Sequence, residues 1–371
     1  MQVSELNTLT SQVLIAAFAL SLVFGVITQR THFCTMGAIS DVVNMGDWTR
    51  MRQWGLAIGV AVVGFALLAY AGLIDASKTI HASNRWFWLS GLVGGALFGF
   101  GMVLASGCGS KTLVRVGSGN LKSLIVMLVL GLSAFATLKG ITAVARVATV
   151  DLITVDFATV ANLPHLMAAA WGLKPTLMGL VLGLLIGGSL ITWALMGPEF
   201  CRADNLLAGL GIGGIIVTMW WVSGNMGYVA EHPETLNEVF LTTNSGRAEA
   251  LSFVAPVAYT LDWMLFFSDK SKVLTMGIVS VVGVIVGSAI SALWTRSFRW
   301  EGFGGTEDVG NHLVGAALMG VGGVTAMGCT VGQGLSGIAT LGLTSFVALF
   351  AIIAGAVAAF KYQAWRIDRL V

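Results

Sequence analysis

Apolar residues along this chain come in runs of about twenty, parted by short polar stretches, with no sustained strand-like alternation. A bilayer core about 30 Å thick takes roughly 20 apolar residues in helical form. Nine runs come close to that length: 11–28, 54–74, 86–106, 121–143, 174–197, 206–222, 275–296, 311–327 and 342–362. A further segment, 251–267, is apolar but interrupted by Pro256 and Asp262, and is expected to lie at the interface. The stretch 225–250 carries Glu231, Glu234, Glu238 and Glu249 against a single Arg247 and reads as an aqueous insertion. Residues 1–10 contain Glu5 and no Lys or Arg, so the first apolar run is expected to be a retained span, not a signal peptide. The pattern predicts an all-α integral membrane protein with about nine transmembrane helices.

Composition agrees. Of 371 residues, 56% are hydrophobic and 10% charged, where a soluble domain carries about 25% charged residues. Gly, at 48 residues, is abundant without a collagen period or a linker tract, as suits helices approaching closely in lipid. A formal charge of +2 leaves no basic surface for nucleic acid. Lys and Arg beside the spans favour an outer N-terminus and an inner C-terminus.

The chain also repeats itself. Residues 92–108, LVGGALFGFGMVLASGC, and 313–329, LVGAALMGVGGVTAMGC, match without gaps at an offset of 221, with 11 of 17 positions identical. A weaker echo relates HFCTMGA around Cys34 to EFCRADN around Cys201. Two homologous halves are expected: 1–143, and 206–371 with an aqueous or interfacial insertion at 223–274, joined by a connecting region 144–205 that holds one span. With nine spans the repeated segments run in opposite directions, an inverted repeat of the kind that builds substrate sites near the midplane.

Helical periodicity breaks after Cys34, Cys108 and Cys329, where TMGAISDVVNMGDW, GSKTLVRVGSGN and TVGQGLSGIATLG follow. Irregular backbone at membrane depth must be buried in protein or line a wet cavity. These stretches are therefore expected to be short re-entrant helices whose N-termini favour an anion. Gly109, Thr330 and Gly332 are candidate backbone donors there. Protonated thiols are weak, polarizable partners, suited to passing a soft sulfur anion onward without trapping it. Lys111 and Arg115 either attract the anion at the inner mouth or serve as positive-inside anchors. Cys201, flanked by Pro198, Glu199, Arg202 and Asp204, is a weaker candidate, and His32 beside Cys34 shows no metal spacing with the other histidines. There is no CxxC pair and no metal, cofactor or catalytic motif. A membrane sulfurtransferase or thiol redox enzyme would need a reactive thiolate beside a base or a resolving Cys, and neither is visible.

The blocks GVITQRTHFCTMGAISD, GFGMVLASGCGSKTLVR and GVTAMGCTVGQGLSG resemble the YeeE/YedE family of bacterial thiosulfate transporters. The resemblance implies an hourglass-shaped protein of the bacterial inner membrane, N-terminus periplasmic and C-terminus cytoplasmic. In it, Cys34, Cys108 and Cys329 would bind thiosulfate and relay it inward through S–H···S contacts. It further implies a small cytosolic sulfur-carrier or rhodanese-type partner, with membrane lipid around the spans. A selenium or persulfide-type substrate is the alternative within the family.

Overall fold

A few polar and glycine residues set where the helices start and stop. Asn120 Oδ1 accepts the Ser123 N–H and Asn162 Oδ1 accepts the His165 N–H, satisfying first-turn donors. Gly46 and Gly172 end their helices in the left-handed region, at φ of 69° and 67°. The computed structural model describes residues 3–369 other than Glu234; Glu234, part of the acidic stretch, lies outside the described residues.

Fifteen α-helical segments follow one another among the described residues: α1 (Val3–Thr31), α2 (Thr35–Met45), α3 (Thr49–Tyr70), α4 (Trp88–Leu104), α5 (Gly109–Gly117), α6 (Leu121–Lys139), α7 (Ile141–Ala148), α8 (Leu163–Trp171), α9 (Pro175–Leu195), α10 (Ala203–Leu206), α11 (Ile212–Trp221), α12 (Val254–Leu265), α13 (Met276–Trp294), α14 (Thr306–Thr325) and α15 (Leu343–Asp368). A π-helical turn at Leu207–Gly211 fuses α10 to α11, and a short helix at 330–339 with a π-helical turn at Gly332–Gly337 follows α14. Among the described residues, eight helical stretches are long and apolar enough to cross a membrane. Together with the 20-residue α14, which opens on Glu307 and Asp308, they coincide with the nine expected spans. The segment expected at the interface forms α12, 12 residues long. Its rise of about 18 Å falls short of a bilayer core. Phe253, Val254 and Val257 at its start are buried in the main core.

Two small antiparallel ribbons, Arg85–Trp86 with Val155–Asp156 and Tyr228–Val229 with Val239–Phe240, tie the loops at one end of the bundle. Ion pairs Lys122–Asp308 at 2.8 Å and Arg30–Asp204 at 3.5 Å lie at the other.

Glycine decides how the spans pack. A Cβ on Gly94 would lie 2.7 Å from the Gly322 carbonyl, and one on Gly322 would lie 2.6 Å from the Gly94 carbonyl. Gly101 and Gly315 make the same reciprocal approach, each at 2.6 Å. In the repeat, Gly94 corresponds to Gly315 and Gly101 to Gly322, so the contact maps onto itself when α4 and α14 are exchanged. The two helices run antiparallel, and a two-fold axis that exchanges them lies across their length. This is the geometry an inverted repeat requires. The exchange goes further: α4 also packs on α15, and α14 on α6. A Cβ on Gly99 would meet the Ile352 carbonyl at 2.0 Å, and one on its counterpart Gly320 would meet the Leu130 carbonyl at 2.6 Å. Each repeat thus lends its first helix to the second helix of the other. Overpacking such a contact by one methyl costs about 1–3 kcal/mol.

Candidate functional site

The cysteines share a backbone device. Each lies two residues after a non-glycine residue in the left-handed region: His32 (φ 54°) before Cys34, Ser106 (56°) before Cys108, Glu199 (57°) before Cys201 and Met327 (56°) before Cys329. That conformation costs an L-residue about 1–2 kcal/mol. At Ser106 and Met327 paired hydrogen bonds offset it. The Gly107 N–H donates to Met102 O and the Gly328 N–H to Gly323 O, both at 2.8 Å. The Ser106 N–H donates to Val103 O at 3.1 Å and the Met327 N–H to Val324 O at 3.0 Å. This double bond ends a helix and turns the chain sharply. Cys34 and Cys108 then stand, extended, as the N-caps of α2 and α5, and Cys329 directly precedes the helix at 330–339.

Three of these breaks meet inside the protein. Cys34, Cys108 and Cys329 are buried, and Cys201 is exposed. The Cys34 and Cys108 thiols face each other within interaction range, and the Thr330 hydroxyl lies against the Cys108 thiol. Cys34 Sγ accepts the Gly37 N–H and Cys329 Sγ the Gly332 N–H, each at 3.4 Å. Cys108 Sγ sits 3.3 Å from Ser110 Oγ, with the Lys111 N–H also directed at it. Gly109 and Thr330 occupy first turns, whose N–H groups have no partner within the helix. Thr35 Oγ1 and Thr330 Oγ1 are buried with no oxygen or nitrogen partner among the described residues. Leaving a buried hydroxyl unmatched costs about 1–3 kcal/mol, which the oxygens of an anion would offset. Three positive helix ends, three thiols and the Thr330 hydroxyl therefore converge where the spans are broken. Cys201 has the same turn but stands apart, its thiol 3.8 Å from Leu195 O on an exposed loop.

Cations gather beside Cys34 and Cys108. Lys111 is close enough to act on both thiols, and Arg50 packs over Gly37 while pairing with Asp41 at 3.1 Å. Arg115 donates to the Ser106 carbonyl at 2.7 Å, bracing the turn that presents Cys108. His32 lies near Lys111 and Arg50. Next to the Cys329 thiol itself the partners are uncharged. Gln333 donates to Ala326 O at 2.7 Å and accepts from Ser345 Oγ at 2.5 Å. The Phe253 backbone N–H, at the start of α12, points to the Cys329 thiol. A cavity of about 280 Å³ opens beside Met327, Gly328, Gly332 and Gln333, and its lining also includes His81, Arg146 and Glu249. Among the described residues no cluster of three His, Cys, Asp or Glu side chains is placed to hold a metal ion.

Arg50, Ser110, Thr35, Phe253 and Glu249 belong to this site or its approaches without having been singled out as site residues from sequence. Ser110 and Thr35 were legible as polar neighbours of a broken span. Phe253 acts through its backbone, 76 positions from Cys329, and leaves no local signal.

Comparison with known proteins bears on the same residues. The profile of a family described as Sulphur transport matches residues 30–358. The thiosulfate transporter TsuA of Escherichia coli (strain K12) is 26% identical over 340 residues, covering 89% of each chain. TsuA of Spirochaeta thermophila is 26% identical over 340 residues, 90% of this chain and 93% of that protein. The probable transporter YedE of E. coli is 31% identical over 96 residues, 26% of this chain and 22% of that protein.

Proposed function

Because the chain belongs to the Sulphur transport family, we propose that it takes up thiosulfate across a bacterial inner membrane into the cytoplasm. The anion passes from Cys329 to Cys108 and Cys34. The observation that carries this reading is the convergence of three buried, cysteine-headed helix N-termini, with the Cys34 and Cys108 thiols in mutual range. The relatives named thiosulfate transporters cover nearly the whole chain, which supports the substrate.

In this reading the halves 1–143 and 206–371, joined through 144–205, form an hourglass with the thiols at its waist. The N-terminus faces the periplasm and the C-terminus the cytoplasm. The cavity beside Cys329 then opens outward, and Lys111, Arg50 and Arg115 lie on the cytoplasmic side. Positive helix ends stabilise the dianion where water is scarce. Weak S–H donors hold its terminal sulfur loosely enough for onward transfer, which conduction demands. The cations below the waist draw it inward. Gly109, Thr330 and Gly332 add backbone polarity at the same level, and Cys201 stays peripheral. A small cytosolic sulfur-carrier or rhodanese-type protein would consume the product.

Uptake of labelled thiosulfate into liposomes carrying the purified protein tests the proposal. Saturable uptake that excess sulfate does not displace is expected, with the anion recovered intact. Uptake no greater than in protein-free liposomes overturns it. So does cleavage or a stable protein persulfide formed at each turnover, which would restore the enzyme reading. Preferential uptake of a selenium or persulfide compound would move the substrate within the family.

A further inference from the structure

The cavity beside Cys329 holds a carboxyl group that transport of an anion does not by itself explain. Glu249 lines it together with Gly328, Gly332 and Gln333. It is fixed in place: Oε2 accepts from Ser245 Oγ at 2.9 Å, Oε1 from the Asn244 N–H at 3.3 Å, and its own N–H donates to Ser223 Oγ at 3.1 Å. The charged and titratable groups around the cavity leave it uncompensated. From the loop after α3 come Arg85, paired with Asp156 at 3.3 Å, and His81, edge-on to Trp220. From α7 comes Arg146, paired with Asp151 at 3.1 Å. From α12 comes Tyr259, a neutral phenol, and α13 and the helix at 330–339 contribute no charged side chain to the lining. Among the described residues no cation pairs with Glu249. Both arginines that line the cavity are already neutralised by carboxylates, and Arg247, outside the lining, donates to the Ala82 carbonyl, so among the lining residues Glu249 carries the unbalanced charge.

Resting on the uptake reading above, we infer that the cavity is a holding site for a doubly charged oxyanion before it reaches Cys329, and that the site fills when Glu249 carries a proton. An ionised Glu249 places a like charge in the same enclosed space as the dianion, where water screens it poorly. Protonation removes that repulsion and turns an acceptor into a hydroxyl donor facing the cavity.

Two pKa shifts agree with this arrangement. Burial pushes the Glu249 carboxyl up to about 7, against the hydrogen bonds from Ser245 and Asn244. Burial also pushes His81 down to about 4, so its ring stays neutral and supplies no counter-charge near neutral pH. Thiosulfate remains a dianion across this range. The protonated fraction of a group titrating at about 7 rises about tenfold from pH 8 to pH 6.

The test is the initial rate of labelled thiosulfate uptake into liposomes, at a concentration well below KM, with outer pH set between 6 and 8. The wild type and Glu249→Gln are compared. Gln keeps the shape and removes the charge. Wild-type uptake is expected to rise about tenfold as the pH falls, through a lowered apparent KM. Glu249→Gln should match the fast rate at pH 6 and hold it at pH 8. A wild-type rate that does not change with pH overturns the inference, as does a Glu249→Gln protein that keeps the wild-type pH profile. Loss of uptake at every pH by a Glu249→Gln protein that melts at the wild-type temperature also overturns it, because the carboxylate itself would then be needed. No uptake by the wild type at any pH refutes the transport reading instead.

Discussion

Up to their cysteines the Cys108 and Cys329 regions are one structure built twice; beyond them they part. Ser106 and Met327 take the same left-handed turn, closed by equivalent hydrogen bonds of nearly equal length. Then Lys111 stands where the second copy has Gly332, and Thr112 where it has Gln333. The first copy continues as a regular helix carrying two cations, and its thiol gains the Ser110 hydroxyl as a further partner. The second tightens into a π-helical turn without charge, its thiol held by a backbone N–H, with Gln333 bridging two other segments. A two-fold repeat supplies matching halves, but net movement of an anion benefits from a difference between them. Here the shared turn places the thiols, and the residues that follow put two cations after one and none after the other.

Removing the Gln333 bridge should have the largest structural effect. Gln333→Leu leaves the Ala326 carbonyl and the Ser345 hydroxyl buried without their partner, at about 1–3 kcal/mol for each unmatched group. The equivalent Thr112→Val loses one local bond, to Cys108 O at 3.0 Å, worth about 1 kcal/mol. Thermal melts of both proteins in detergent should place Gln333→Leu well below Thr112→Val; equal losses would dissolve the proposed asymmetry of the two turns. Next comes the cationic side. Lys111→Gln should raise the apparent KM for thiosulfate about three- to tenfold, or about 0.7–1.4 kcal/mol, with an unchanged melting temperature. If KM holds and stability falls, Lys111 is an anchor for the helix and not an attractor of the anion. The smallest effect is expected at the shared turn. Ser106→Gly relieves the left-handed strain and keeps the carbonyl that Arg115 uses, so stability should rise by at most about 1 kcal/mol. A marked loss would mean that the Ser106 side chain, not the backbone, shapes the turn.

Much of this was legible before the fold was known. Runs of twenty apolar residues gave the spans because a bilayer demands that length, and the ungapped Gly-Cys repeat announced two equivalent breaks. Gly94, Gly101, Gly315 and Gly322 read as packing glycines, yet their reciprocal contact between α4 and α14 needed the helices side by side. Cys201 shows the limit most clearly. It shares the aromatic-Cys signature of Cys34 and the same left-handed turn two residues earlier, but one thiol is buried and the other exposed. The cause is tertiary, since Cys34 faces Cys108 at the start of α5 while Cys201 lies on an exposed connecting loop. Phe253 and Glu249 were hidden for a related reason. An insertion rich in acids reads as solvated surface, whereas its far end folds inward to cap one thiol and line a cavity.

The central claim is that the three buried thiols act as one path and the fourth does not. It is tested most directly by labelled thiosulfate uptake per correctly inserted molecule in Cys34→Ala, Cys108→Ala, Cys329→Ala and Cys201→Ala. Each change removes a single sulfur, so the melting temperature should register a loss of no more than about 1 kcal/mol. Uptake is expected to collapse in the first three proteins and to stay near the wild-type rate in Cys201→Ala. Wild-type uptake by Cys108→Ala, whose thiol lies between those of Cys34 and Cys329 in the proposed path, would contradict the account.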